Sequence, residues 1–168
     1  MTASSFRGPA AAGLAAALAV LAIDQASKAV ILGWIMNPPT VIPLTAFFNF
    51  VLGFNTGVTF GIGSGIDGGA FLLPAIALAV VGGLFWQIWR TRSGSEAAAL
   101  GAIVGGALGN VIDRLRQGAV TDFLDLYLGE WHWPTFNLAD VAIVAGVGCL
   151  VFLPTRRAQA KQAGASSS

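Results

Sequence analysis

Residues 69–89 read GAFLLPAIALAVVGGLFWQIW, a run with no charged side chain. A helix needs roughly 20 mostly apolar residues to cross the hydrocarbon core of a bilayer. The run therefore predicts a transmembrane helix, and the fold class follows from it. Three further stretches approach the same length and character, about 10–33, 97–115 and 137–154. Each of these contains or borders an acid: Asp24, Asp113 and Asp140. The composition agrees, with 168 residues, 55% hydrophobic and 10% charged, where soluble domains carry about 25% charged residues. The prediction is an all-α polytopic membrane protein of four transmembrane helices, forming a single domain over residues 1–168.

The first span begins after MTASSFRGP and could be read as a cleaved signal peptide. Against that, IDQASKAVILGWI (23–35) continues the apolar pattern, so an uncleaved helix is expected. Loop charges then orient the chain. Arg7, Arg90, Arg92, Arg156, Arg157 and Lys161 fall on one face, while Lys28, Arg114 and Arg116 fall toward the other. The positive-inside rule places both termini in the cytoplasm. The acids divide the other way: Asp24, Asp67, Asp113, Asp122, Asp125, Glu130 and Asp140 gather at the outer side, and only Glu96 is inside. Chemistry that uses carboxylates is expected at the outer face.

The outer connections are residues 34–68 and 116–136. The first contains TVIPLTAFFNFVLGFNTGVTFGIG (40–63), rich in Val, Phe, Thr and Gly with partial alternation. It reads as short strands and turns, a small β-rich subdomain. The second, RQGAVTDFLDLYLGEWHWPTF (116–136), is compact and aromatic, and its Tyr127, Trp131 and Trp133 suit the headgroup level. The tail, about 158–168, reads as disordered.

Polar groups at the rim of spans are expensive and mark functional sites. Asp24 and Lys28 share one helical face at i and i+4. Asn55 lies in the first outer loop, Asn110, Asp113 and Arg114 end the third span, and Asn137 and Asp140 open the fourth. The short second loop brings Asp122 close to Asp140. Two neighbouring carboxylates in a partly dry site share a proton. One can then draw a proton from water while the other polarises a carbonyl. Asn side chains can orient such a pair without adding charge.

Plainer readings stand beside this one. Asp140 is placed as a first-turn helix acid favoured by the dipole, and Asp122 alone would be an ordinary loop acid. Asp125 and Glu130 read as solvated loop charges, and Asp113 with Arg114 as a structural ion pair. Asn55 is a turn candidate, His132 an interfacial bystander, and Cys149 a small buried hydrophobe. Ser64 lacks the spacing of a membrane serine protease. One His and one Cys supply too few ligands for a Cys/His metal site, and a net charge of +1 gives no reason to expect nucleic acid. Rim carboxylates alone would also suit a small proton- or ion-coupled transporter.

DQASK (24–28), FNTGVTFG (54–61), GGALGNVIDRLRQGAVTDF (105–123) and FNLAD (136–140) resemble, in order, the motifs of the bacterial lipoprotein signal peptidases, signal peptidase II. The resemblance implies an aspartic endopeptidase of the bacterial inner membrane, free of cofactor and metal, with its active site at the periplasmic face. It implies Asp122 and Asp140 as the catalytic pair, with Asp24, Lys28, Asn55, Asn110, Asp113, Arg114 and Asn137 supporting or binding. The implied substrates are diacylglyceryl-modified prolipoproteins, cut just before the lipidated cysteine among membrane lipids. Globomycin-type cyclic peptides are the implied inhibitors, and a monomer is the expected state. Thr59 departs from the family, which more often has two small residues before the Phe.

Overall fold

The computed structural model describes residues 8–57 and 69–152. Arg7, Thr59, Ser64, Asp67, Arg156, Arg157, Lys161 and the tail about 158–168 lie outside the described residues, so the expectations placed on them stay with the sequence. Helix α1 spans Pro9–Val30, with proline in its first turn, where a missing N–H costs nothing. It runs on through a π-helical turn, Ile31–Ile35. Strands β1 (Ile42–Thr45) and β2 (Phe48–Asn55) follow, then helices α2 (Gly69–Arg90) and α3 (Gly94–Gln117). Strands β3 (Val120–Leu128) and β4 (Trp131–His132) lead to α4 (Leu138–Phe152).

Three helical stretches are long and apolar enough to cross a membrane: Pro9–Ile35, Leu72–Arg90 and Gly94–Gln117. α4 is apolar but spans 15 described residues. α3 is the centre of the bundle: over its most apolar window 56% is buried, against 22% for the first stretch and 17% for the second. Small residues allow that position. A Cβ on Gly101 would come within 2.0 Å of the Gly13 carbonyl oxygen of α1, and one on Gly106 within 2.5 Å of the Ala139 oxygen of α4. Bundles without a hydrophobic driving force between helices depend on such close backbone approach. Ala17, Val81, Ile88, Leu100 and Val104 fill the space among α1, α2 and α3. Leu18, Ile23, Ile76, Val80, Val144 and Val151 point outward, away from the bundle.

The four strands form one antiparallel sheet in the order β1-β2-β3-β4. The β-rich unit expected of the first connection therefore takes half its strands from the second. β2 needs a partner for its free edge, and β3 supplies it, with Asn49 opposite Asp125 and Gly53 opposite Asp122. A register shift lies between Phe50 and Gly53; a bulge of this kind bends a strand and re-aims its side chains. Ile31, Met36, Phe123 and Leu124 pack the sheet onto the end of α1. All five Trp are exposed: Trp34, Trp131 and Trp133 at the sheet end, and Trp86 and Trp89 in the last turns of α2.

Candidate active site

The site lies where α1 and α3 end, α4 begins and β3 crosses them. Its frame is the start of α4. Asn137 Oδ1 accepts the Asp140 amide at 3.1 Å, and Asp140 Oδ2 accepts the Asn137 amide at 3.1 Å. This is a reciprocal capping box with Asp in the third position. The Ala139 amide, another orphan donor of the first turn, is met from α1 by Asp24 Oδ1 at 3.0 Å. Sequence alone makes Asp140 a first-turn acid, and it is one.

Asp122 arrives on β3. Its carboxylate Oδ1 accepts the Asn137 side-chain amide at 2.7 Å, and Asn55 hydrogen bonds it as well. The other Asn137 amide contact is Asn110 Oδ1 at 3.2 Å. Asn110 in turn donates to Asp140 Oδ1 at 2.9 Å. Two asparagines thus bridge the two carboxylates. Behind them Lys28 Nζ reaches Asn110 Oδ1 at 3.1 Å, Asp24 at 2.9 Å and Asp113 at 2.8 Å. Gln25 donates to Asp24 and Asp113, and Asp113 also accepts the Thr121 amide at 3.1 Å, which ties α3 to β3.

Asp122 is 1% exposed and Asn137 is fully buried, while Asp140 is half-buried. Burial raises the Asp122 pKa above the ordinary carboxylate value; hydrogen bonds from Asn137 and Asn55 pull the other way, the Asp140 charge adds to the rise, and Lys28 opposes it. Lys28 pairs with Asp24 and Asp113, and reaches the two carboxylates in front through Asn110. Within the network it is Asp122, buried and beside the Asp140 charge, whose surroundings favour the protonated form.

The structure brings Asp24, Lys28, Asn110, Asp113, Asp122, Asn137 and Asp140 into one continuous network, with Asn55 reaching it from β2. Asn55 is also the turn residue it resembles, since its Oδ1 accepts the Gly57 amide at 2.8 Å. Four expectations are corrected. Asp113 pairs with Lys28 and not with Arg114, whose buried Nε has no hydrogen-bond partner among the described residues. Asp125 is not a solvated loop charge: it is 4% exposed and holds Asn49 at 3.0 Å. His132 is not a bystander, because its Nδ1 meets Asp125 at 2.9 Å and its ring stacks on Tyr127. Cys149 is exposed on α4, not buried. Gln25 and Thr121 were not singled out by sequence; Gln25 follows Asp24 in the DQASK motif, which was the available signal.

Asp125 stands three residues from Asp122 on β3. Odd spacing on a strand sends side chains to opposite faces, which separates Asp125 from the site. Its pKa is lowered: burial raises it, but hydrogen bonds from His132 and Asn49 and the imidazolium charge outweigh that. No cluster of three or more His, Cys, Asp or Glu side chains with metal-binding geometry occurs among the described residues.

Helices long enough to cross a membrane, with a buried carboxylate network at one end, define a polytopic membrane protein with an enzyme-like site. Two solved structures, each a bacterial membrane enzyme obtained by the in meso method, at 2.3 Å and 1.9 Å resolution, share the fold. Both are 26% identical, with TM-scores of 0.69 and 0.73; they cover 83% and 85% of this chain, and 84% and 94% of their own. The lipoprotein signal peptidase of Methylorubrum extorquens (strain PA1) is 48% identical over 147 residues, 83% of this chain and 82% of the relative. That of Rhodopseudomonas palustris (strain TIE-1) is 41% identical over 153 residues, 86% and 92%. The family model for signal peptidase (SPase) II matches residues 16–155. The chain belongs to the signal peptidase II family, the lipoprotein signal peptidases.

Proposed function

We propose that this peptidase is an aspartic endopeptidase, in which Asp122 and Asp140 cleave diacylglyceryl-modified prolipoproteins just before the lipidated cysteine. Removal of signal peptides from prolipoproteins is the activity of its family. The observation that carries the aspartic reading is the bridged pair: two carboxylates joined through Asn137 and Asn110, one of them fully desolvated. Family membership favours this over the ion-coupled transporter that rim carboxylates alone would also suit.

The surroundings support a division of roles. Asp122, desolvated and raised, carries the shared proton. Asp140 accepts two N–H donors in the first turn of α4, where the dipole favours negative charge. It therefore serves as the base. Asp140 takes a proton from a water, whose oxygen adds to the scissile carbonyl carbon. Asp122 gives its proton to the carbonyl oxygen as the tetrahedral centre forms. On collapse the C–N bond breaks, the amine leaves with the proton taken by Asp140, and one hydroxyl of the gem-diol returns its proton to Asp122 as the carbonyl is restored. Asn137 orients Asp122, Asn110 orients Asp140, and Lys28 with Asp24 and Asp113 holds the frame. Arg114, whose Nε has no partner among the described residues, is a binding residue for substrate backbone carbonyls.

The chain sits with both termini in the cytoplasm, four spans in the bacterial inner membrane, and sheet and site at the periplasmic face. The sheet forms a platform there, and globomycin-type cyclic peptides bind at the site. No metal takes part, so EDTA leaves the rate unchanged; chelator inhibition would contradict the mechanism.

The test is cleavage by the purified protein in detergent of one prolipoprotein with and without its diacylglyceryl group. The modified precursor is converted to a product whose mass begins at the lipidated cysteine, at a rate at least about tenfold above the unmodified one. Cutting at another bond, or no cutting by folded protein, would overturn the proposal.

A further inference from the structure

A polar cavity of about 270 Å³ lies between α1 and α3 and is separate from the carboxylate pair: neither Asp122, Asn137 nor Asp140 lines it. Its polar wall is formed by Gln25, Lys28, Asp113, Arg116, Gln117 and Thr121. Nearly all of that wall is already committed. Lys28 has three acceptors, Asp24, Asp113 and Asn110. Asp113 uses one oxygen for Gln25 and the other for Lys28 and the Thr121 amide. The Gln117 amide donates to the Ala119 carbonyl and to Thr121 Oγ1. The exposed C-terminal carbonyl of Arg114 is taken by the Gly118 amide. Arg116 is different. It is exposed, lines the cavity, and is joined to no acid among the described residues.

We infer that this cavity binds a phosphate group, with Arg116 as its cation, and that the phosphate is carried on a phospholipid. A planar guanidinium with unpaired donors matches phosphate oxygens two at a time. The charge of Lys28 is offset by Asp24 and Asp113, so the cation left to meet the phosphate is Arg116. The lipid source follows from the other wall, which is the apolar pair Ala29 on α1 and Leu32 in the π-helical turn that continues it. Two residues beyond Leu32, Trp34 is 83% exposed, as expected of a ring at headgroup depth. A charged head meeting Arg116 and a chain running down Ala29 and Leu32 is the shape of a phospholipid. Basic pockets between spanning helices take such headgroups. Lys28 and Asp113, which frame the carboxylates, also line this cavity, so its occupant touches the frame and not the reacting atoms.

Native mass spectrometry of the delipidated protein tests this with three probes: phosphatidylglycerol, diacylglycerol of the same acyl chains, and inorganic phosphate. Wild type is expected to retain phosphatidylglycerol at least about fivefold more than diacylglycerol, and Arg116→Gln to bring the two to parity. Unchanged melting of Arg116→Gln and unchanged cleavage of prolipoprotein in detergent show that the variant is folded. If millimolar inorganic phosphate displaces the lipid from wild type, the phosphate site stands and its source is the free anion. Equal retention of both lipids by wild type would overturn the inference, and so would equal phosphatidylglycerol retention by wild type and Arg116→Gln.

Discussion

Asp140 serves two purposes with one carboxylate: Oδ2 closes the capping box of α4 and Oδ1 holds Asn110. An Asn there keeps an acceptor for the cap, so Asp140→Asn is expected to stay folded while losing its capacity as a base. Asp122 shows the cost of the site. Its folded pKa is raised, so the folded state resists an ionisation that the unfolded chain undergoes freely. Stability therefore falls as pH climbs from the ordinary Asp range to the raised value. Asp122→Asn removes that penalty and should melt above wild type at pH 7, the difference vanishing below about pH 4. A lower melting temperature at pH 7 would contradict this. Asp125 has the opposite sign. Its lowered pKa means a contribution present in full above the ordinary Asp range and lost as pH falls through the lowered value. Asp125→Asn should lose about 1–2 kcal/mol at neutral pH, kept small by the half-exposed imidazole, and equal stability of the two proteins would contradict the pairing with Asn49 and His132.

At the scale of elements, the glycines of α3 decide how closely the helices meet. A methyl on Gly101 would strike the Gly13 backbone, whereas one on Gly148 of α4 meets nothing within 4 Å. Gly101→Ala should cost about 1–3 kcal/mol or more, and Gly148→Ala should leave melting unchanged or raise it; the reverse order would refute the packing. Gly109 joins packing to the site. Its Cβ would lie 2.4 Å from Asp24 Oδ2, so Gly109→Ala disturbs the carboxylate that caps Ala139. The helices were legible because a spanning segment must be apolar over its whole length. β3 was not. VTDFLDLYL (120–128) has strand-forming Val, Thr, Phe and Tyr, but its pairing with β2 is long-range and buries both of its faces, so no alternation marks it. Without the strand, Asp125 could not be told from Asp122 by face.

For the whole molecule, Trp86 and Trp89 at one end and Trp34, Trp131 and Trp133 at the other mark two interfaces, and the proposed orientation rests on the charge asymmetry of the sequence. In a Cys149→Ser background, an impermeant thiol reagent added outside intact spheroplasts should label Glu130→Cys and spare Ser95→Cys, and labelling of Ser95→Cys alone would invert the topology. The candidate site was legible as a set of residues because most of them, Asn110, Asp113, Asn137 and Asp140 among them, stand at helix ends. Its wiring was not, since the partners Lys28–Asp113 and Asp24–Ala139 are far apart in the chain and no spacing rule links them. The pairing of Asp113 with Lys28 instead of Arg114 follows from the same cause.

The central claim is that Asp122 and Asp140 together perform the cleavage. The most direct measurement is the single-turnover rate on diacylglyceryl-modified prolipoprotein for wild type, Asp122→Asn, Asp140→Asn and Asp125→Asn, each verified as folded by its melting transition. The account predicts a loss of at least about 100-fold for Asp122→Asn and for Asp140→Asn, with Asp125→Asn within about threefold of wild type. A folded Asp122→Asn or Asp140→Asn that cleaves at the wild-type rate would contradict it.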